Sequence, residues 1–550
     1  MVSREEHAFP TRHLVNGEAH HDRTEVESFA VEPRLDATKL LRYVKGIDEF
    51  PRPMDPSEIE RLRDPFAELL LKRGTFPMSL RAVLVAFDAF NDDPLGLSDQ
   101  ESYLVAEGGQ IRWTPETASL NRGFRFAVTR ERGGEFQVLI SASTSLDSES
   151  DHHFLQVVGW DSDNRVYHYY ERRMGAWIWA GNSRHALEPP TRGNGPFDSH
   201  VNGSLVMKEL KLPWTHWHSM SASIQEDVLA PDDPLRTELL FTEKRGAEDF
   251  EKRVVKSGIT RWNEARLDGS VADDGTVSGV PLLMRQVLET TTINLVSSDQ
   301  ESHLVQEDSQ LRLPTSFFFD RDALLNRIDL DPQIDPIGVE GRLYLESLER
   351  YDFALVDDWG TLWQKGDTFF AFLVPEPAFE DLDVLSQLLG RNILTARFAA
   401  CLLMVDFPNP VFSTRRQHLM RYVPDQVRLT GEGSDLPSAM VEAIETADPS
   451  PPPGSPEREF LDNWSVPEAE WKATFERRIE QYFQALAAKA NTEEGFDGFV
   501  RLADSRRREF RARPLAEFGL TLPTTNIPKD EPFLQMTEDG TVVSTPRRTT

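Results

Sequence analysis

Phe154-Leu-Gln-Val-Val-Gly-Trp160, Val166-Tyr-His-Tyr-Tyr-Glu171 and Ala176-Trp-Ile-Trp-Ala180 follow one another with only short breaks. Each run is rich in β-branched and aromatic residues, which suits a pleated, half-buried strand. Asp161-Ser-Asp-Asn164 joins the first two and has the composition of a turn. The three runs therefore predict an antiparallel meander. Just upstream, Gly123-Phe-Arg-Phe-Ala-Val-Thr129 alternates at period two. Gly134-Glu-Phe-Gln-Val-Leu-Ile140 follows it after a Gly-Gly pair, which predicts a hairpin. The middle of the chain reads as an antiparallel sheet with aromatic faces.

Toward the N-terminus, residues 36–95 read as a helical region, split or kinked at Pro65. Ser79 to Phe90 (SLRAVLVAFDAF) is short and apolar, and stays open between helix and strand. Residues 1–35 are polar and His-rich (His7, His13, His20, His21), as expected of a mobile arm with at most weak metal binding. Toward the C-terminus the chain repeats itself. Ser98-Asp-Gln-Glu-Ser-Tyr-Leu-Val-Ala-Glu-Gly-Gly-Gln-Ile-Arg112 and Ser298-Asp-Gln-Glu-Ser-His-Leu-Val-Gln-Glu-Asp-Ser-Gln-Leu-Arg312 share ten of fifteen residues at a constant offset of 200. A duplicated unit is the natural reading, and the period is too long for a solenoid.

These patterns predict an α+β chain, with two related, mainly antiparallel β units between helical N- and C-terminal regions. The units span 96–260 and 261–445. Residues 446–457 read as a Pro-rich linker, 458–521 as a helical region and 522–550 as a mobile tail. In the C-terminal helix, Ser465, Pro467 and Glu468 have capping-box spacing, and Trp471, Phe475, Ile479, Tyr482 and Leu486 form one apolar stripe.

The 550-residue chain is 39% hydrophobic, enough for several cores, so wholesale disorder is excluded. Its 60 Lys and Arg against 91 Asp and Glu give a net charge of −31, which argues against nucleic-acid phosphates as partners. A single cysteine excludes a disulfide framework and Cys-rich metal sites. That residue, Cys401, lies in the apolar run FAACLLMV, where a thiol is usually inert. No apolar leader or membrane-length run is present, so a soluble, cytoplasmic protein without a membrane partner is expected. The Walker A, G-x-G-x-x-G, G-x-S-x-G, H-E-x-x-H and C-x-x-C patterns are all missing.

Histidine is the exception. Seven of the 13 histidines and five of the 11 tryptophans fall between His152 and His218. Imidazole is the commonest transition-metal ligand. His216-Trp217-His218 places two imidazoles on one side of a strand. His152 and His168 lie on neighbouring segments of the meander and are expected to face each other. Two strand-borne imidazoles plus a third make a metal site with open positions. The opposing reading is that these rings are packed, with their nitrogens bonded to backbone. Paired carboxylates such as Asp357-Asp358 read as turn residues, and Glu171-Arg172-Arg173 as a salt-bridged hairpin end.

Residues 195–218 carry Pro196, Ser199-His200, the turn Asn202-Gly203, then Met207-Lys-Glu-Leu, Pro213-Trp214 and Trp217. This stretch resembles the segment after the haem-attachment motif in c-type-cytochrome-like proteins, where C-x-x-C-H precedes an N-G turn and an M-K-E-L…P-W…W run. Pro196 and Ser199 stand where the cysteines would be, so covalent haem attachment is excluded. The resemblance implies His200 as axial ligand of a non-covalent haem, with Met207, His216 or His218 as the second.

The sequence thus favours an oxidoreductase acting on a small-molecule substrate with a transition metal or non-covalent haem. His200, His216 and His218 are the expected ligands and His152 and His168 the substitutes. Met207, Trp214 and Trp217 would line the cofactor, with Asp198 or Glu209 behind the ligands. The alternative is a non-enzymatic acidic scaffold that binds a protein partner through its surface or C-terminal helix, the His/Trp segment being core.

Overall fold

A computed structural model describes residues 35–89, 97, 99–106, 108, 109, 111–118, 122–205, 217, 218, 223, 224, 226–294, 305–357, 360–362, 370–511 and 523–545. The chain is α+β, with a mixed eight-stranded sheet toward the N-terminus and a largely helical second half.

The sheet is built from β1 (Leu40–Arg42), β2 (Arg52–Pro53), β3 (Asp99–Val105), β4 (Arg125–Arg132), β5 (Glu135–Ser143), β6 (Leu155–Asp161), β7 (Val166–Arg173) and β8 (Ala176–Asn182). Its order is β2-β1-β8-β7-β6-β5-β4-β3. From β3 to β8 each strand pairs antiparallel with the next in sequence. β1 joins parallel to β8, with Leu40 opposite Trp177. The turn chemistry fixes the register. Gly133 and Gly134 both take positive φ between β4 and β5, as a two-residue hairpin with the twist of its strands demands. Between β6 and β7 the Asp161 Oδ1 atom accepts from the backbone N–H groups of Asp163 (3.0 Å) and Asn164 (2.9 Å).

Alternation along the strands sends aromatics to both faces. Tyr170, Trp177 and Trp179 face the N-terminal layer, where Phe66 meets Tyr170 and Trp177 edge-on at 5.1 and 4.7 Å. That layer includes α1 (Leu80–Asp88), which settles the open reading of residues 79–90. Ser79 Oγ caps it by accepting from Ala82 N, and Leu80, Val83, Leu84 and Phe87 are buried at helical spacing. Pro65 opens a short helical turn capped by Asp64, so it marks a start and not a kink.

Trp160, Tyr167 and Tyr169 line the other face, which packs on α2 (Ser257–Asp268). Tyr167 donates its hydroxyl to Gly258 O (3.0 Å), and Trp262 donates its indole N–H to Asn202 O (2.7 Å).

The second half comprises α3 (Val280–Leu288), α4 (Gly341–Arg350), α5 (Phe379–Gly390), α6 (Ala396–Leu403), α7 (Leu436–Ala447), α8 (Pro456–Ser465), α9 (Trp471–Ala490) and α10 (Glu493–Arg511). One apolar cluster runs through it from Leu267 to Met536. Residues 446–457 therefore join helices within one core and separate no domains. Ser465 does not cap the helix that follows it. Its hydroxyl donates to Asp462 O at the end of α8 (2.8 Å), and α9 starts at Trp471 with the expected stripe buried. Residues 523–545 differ from a mobile tail: Leu534–Met536 and Val542–Ser544 form a hairpin, and Met536 N donates to Asn409 Oδ1 (2.9 Å). Near the second repeat the described strands are short. Among the described residues Gln310–Arg312 pairs with Gly338–Glu340 alone, and residues 295–304 lie outside the described residues. No helix among the described residues is long and apolar enough to cross a membrane.

Candidate functional site

The histidines of residues 152–218 do not gather. His168, on β7, is paired with Gly159 across the sheet. Its Nδ1 accepts from Trp179 Nε1 (3.0 Å), so the ring proton sits on Nε2, which faces Asp161 Oδ2 at 3.2 Å. Both nitrogens are committed, and no lone pair is left for a metal. His152 is exposed on the turn before β6 and does not face His168, because the chain enters the sheet only at Leu155. His218 Nδ1 accepts from Ile224 N (3.3 Å). Trp217 is buried against Phe250, with ring centroids 4.8 Å apart, and bridges Val105 at the sheet edge. Met207, Glu209, Trp214 and His216 lie outside the described residues.

His200 is different. It follows the helical turn Gly195–Asp198, and its half-buried ring lies 5.1 Å from that of Tyr169. Asp198, proposed to stand behind the ligands, ends that turn and is partly exposed. His200 Nδ1 donates to Ser204 O (2.7 Å), the same carbonyl that accepts from the Tyr169 hydroxyl (3.3 Å). Burial holds this imidazole down at about 4, so it is neutral at physiological pH. With the proton on Nδ1, Nε2 carries the lone pair. Among the described residues no three His, Cys, Asp or Glu side chains are grouped as a metal site.

Behind Tyr169 lies a buried polar junction between the sheet layer and the helical half. Three acids enter it from the first two turns of α5: Glu380, Asp381 and Asp383. Asp383 is saturated, accepting from Thr260 Oγ1 (2.8 Å), Asn263 Nδ2 (2.9 Å) and Gln387 Nε2 (2.8 Å). Asp381 is saturated too. It accepts from Gln286 Nε2 (3.1 Å), Thr291 N (2.9 Å), Thr291 Oγ1 (2.5 Å) and Thr292 N (3.2 Å), and Asn202 Nδ2 supports Thr291 Oγ1 (2.9 Å).

Glu380 and Arg266 are not saturated. Glu380 is 2% exposed and its Oε1 has no hydrogen-bond partner. Burial, reinforced by Asp381, pushes its carboxyl up to about 8, against the pull of Arg266 and Asn202. Arg266 is 6% exposed. Its Nη2 donates to two neutral amide oxygens, Gln286 Oε1 (2.5 Å) and Asn263 Oδ1 (3.3 Å), while Nε and Nη1 have no partner. Burial draws it down to about 10, so it remains a cation. Ser204 Oγ and Thr292 Oγ1 are likewise buried and unpartnered.

Sequence reading named His200 and did not name Arg266 or Glu380. Their signal was weak. Glu380, Asp383 and Gln387 lie at helical spacing on a helix that also carries Asp381, and that face is buried. Such a stripe is read as solvent-facing unless the opposite side is known to be buried as well. Comparison with known proteins returns no matching family model, no matching curated protein and no matching solved structure.

Proposed function

We propose that this protein is an oxidoreductase acting on a small molecule, with His200 as the protein ligand of a transition metal or non-covalent haem. One observation carries the reading. His200 commits Nδ1–H to a backbone carbonyl and keeps the Nε2 lone pair, the state in which protein imidazoles bind metals. Because the ring is already neutral, binding needs no proton loss there. Of the described histidines proposed as ligands, His168 does not fit, and His218 uses Nδ1 as an acceptor, which puts its ring proton on Nε2. The group would supply the electron-transfer step; this chain's residues hold the ring, through Ser204 and Tyr169, and shield it on one side.

A second reading has its own support. The dispersed imidazoles suit an acidic scaffold whose His/Trp segment is core. Ile47 and Phe50, the latter 69% exposed, offer apolar contacts on the connection between β1 and β2. Metal analysis and an absorption spectrum of the purified chain separate the two. Stoichiometric metal or a haem band that disappears in a folded His200→Ala variant is the expected result. A metal-free, colourless chain after reconstitution overturns the oxidoreductase reading in favour of the scaffold.

A further inference from the structure

A buried guanidinium normally meets a carboxylate, because an unpaired internal charge costs several kcal/mol. Arg266 meets none. Asp381 and Asp383, the other acids of the junction, have their oxygens filled by other donors, and Arg266 touches only amide oxygens. Glu380 stands in the same junction with a free oxygen. We propose that Arg266 and Glu380 form a binding site for a small monocarboxylate, whose oxygens accept from the free guanidinium N–H groups and from the Glu380 carboxyl. Ser204 Oγ and Thr292 Oγ1, buried and unpartnered in the neighbouring segments, are the further groups for the ligand's own polar substituents.

The class follows from charge. One negative charge neutralises Arg266; a dianion such as phosphate leaves a second charge buried there without compensation. The titratable and charged groups facing Glu380 are Asp381 and Asp383 on α5, Arg266 on α2 and Tyr169 on β7. Glu380 keeps its proton at neutral pH and can therefore donate to a carboxylate. Above its titration it becomes a competing anion, so binding weakens by about tenfold per pH unit. The inference stands apart from the His200 reading and survives its failure.

Carbon-13 acetate is the probe, its line broadening followed on the full-length chain. The wild type is expected to broaden acetate saturably near neutral pH and to lose this as pH rises through the Glu380 titration. Arg266→Gln abolishes it, with the fold checked by circular dichroism. Where Arg266→Gln does not fold, Arg266→Lys, which keeps charge without the planar donors, weakens binding about tenfold. Glu380→Gln keeps a donor and so binds acetate with no loss at high pH. Absence of broadening in the wild type, undiminished broadening in a folded Arg266 variant, or displacement of acetate by equimolar phosphate overturns the proposal.

Discussion

Two buried polar networks lie on opposite faces of the same sheet, and they are built to different standards. On the N-terminal face, Asp64 accepts from Tyr170 Oη (2.5 Å), Phe66 N (3.0 Å) and Ala67 N (3.1 Å). Asp161, His168 and Trp179 complete a second chain beside it, in which each named polar atom is matched. Gly159 makes room for this arrangement, since a Cβ there would lie 2.2 Å from Asp64 Oδ1. On the other face, Arg266, Glu380, Ser204 and Thr292 keep unpartnered atoms. A satisfied network specifies a fold. An unsatisfied one of the same depth lowers stability and is the place to look for a ligand.

The contrast is broken most severely on the satisfied side. Asp64→Ala leaves three buried donors without an acceptor and removes a helix cap, and is expected to lose about 3–4 kcal/mol in urea unfolding. A loss below about 1 kcal/mol would mean that the network is incidental to the fold. His168→Ala strands the Trp179 N–H and opens a void, for an expected loss of about 2–3 kcal/mol and no change in bound metal.

Glu380 and Asp161, one on each face, respond to pH in opposite senses. Glu380 holds its proton more tightly folded than unfolded, so between its ordinary value of 4.5 and about 8 the native state binds more protons. Its contribution is full below that window and is lost as pH rises through it. Asp161 lies below the usual carboxylate range: burial raises it, but His168 and Asn164 overcome that. Its contribution is present at neutral pH and is lost as pH falls. Melting temperatures recorded across pH should show the decline between pH 4.5 and about 8 flattened in Glu380→Gln and the acid decline flattened in Asp161→Asn. At neutral pH, Glu380→Gln is expected to raise the melting temperature, because folding of the wild type must protonate Glu380 and folding of the variant need not.

The sheet was legible because its signals are local. Alternation in β4 and β5, the Gly133-Gly134 turn and the Asp161–Asn164 turn each declare themselves within a few residues. The junction was not legible because it is assembled from Asn202, Arg266, Thr291 and Glu380, which meet only in three dimensions. His200 was singled out by the histidine clustering and by the resemblance of residues 195–218. Its suitability as a ligand, however, rests on the Ser204 carbonyl, a backbone atom to which no residue-type pattern points. The repeat shows the same limit. Gly109 N donates to Ala106 O (3.0 Å) and Ser309 N to Gln306 O (3.1 Å), the same turn at the same offset. Yet among the described residues the second copy continues into a strand at residues 310–312, paired with Gly338–Glu340, whereas residues 111 and 112 are not in a strand.

The parallel pairing of β1 with β8 sets an order of assembly. Strands β3 to β8 find their partners next door in the chain and can zip up as each is made. β1 cannot: Leu40 must wait for Trp177, and the turn that carries Tyr170's partner Asp64 lies on the same early segment. The first part of the sheet to leave the ribosome is thus among the last to be seated. Until then the aromatic face formed by Tyr170, Trp177 and Trp179 stays open to other chains, and this is the stage at which the protein is most exposed to aggregation.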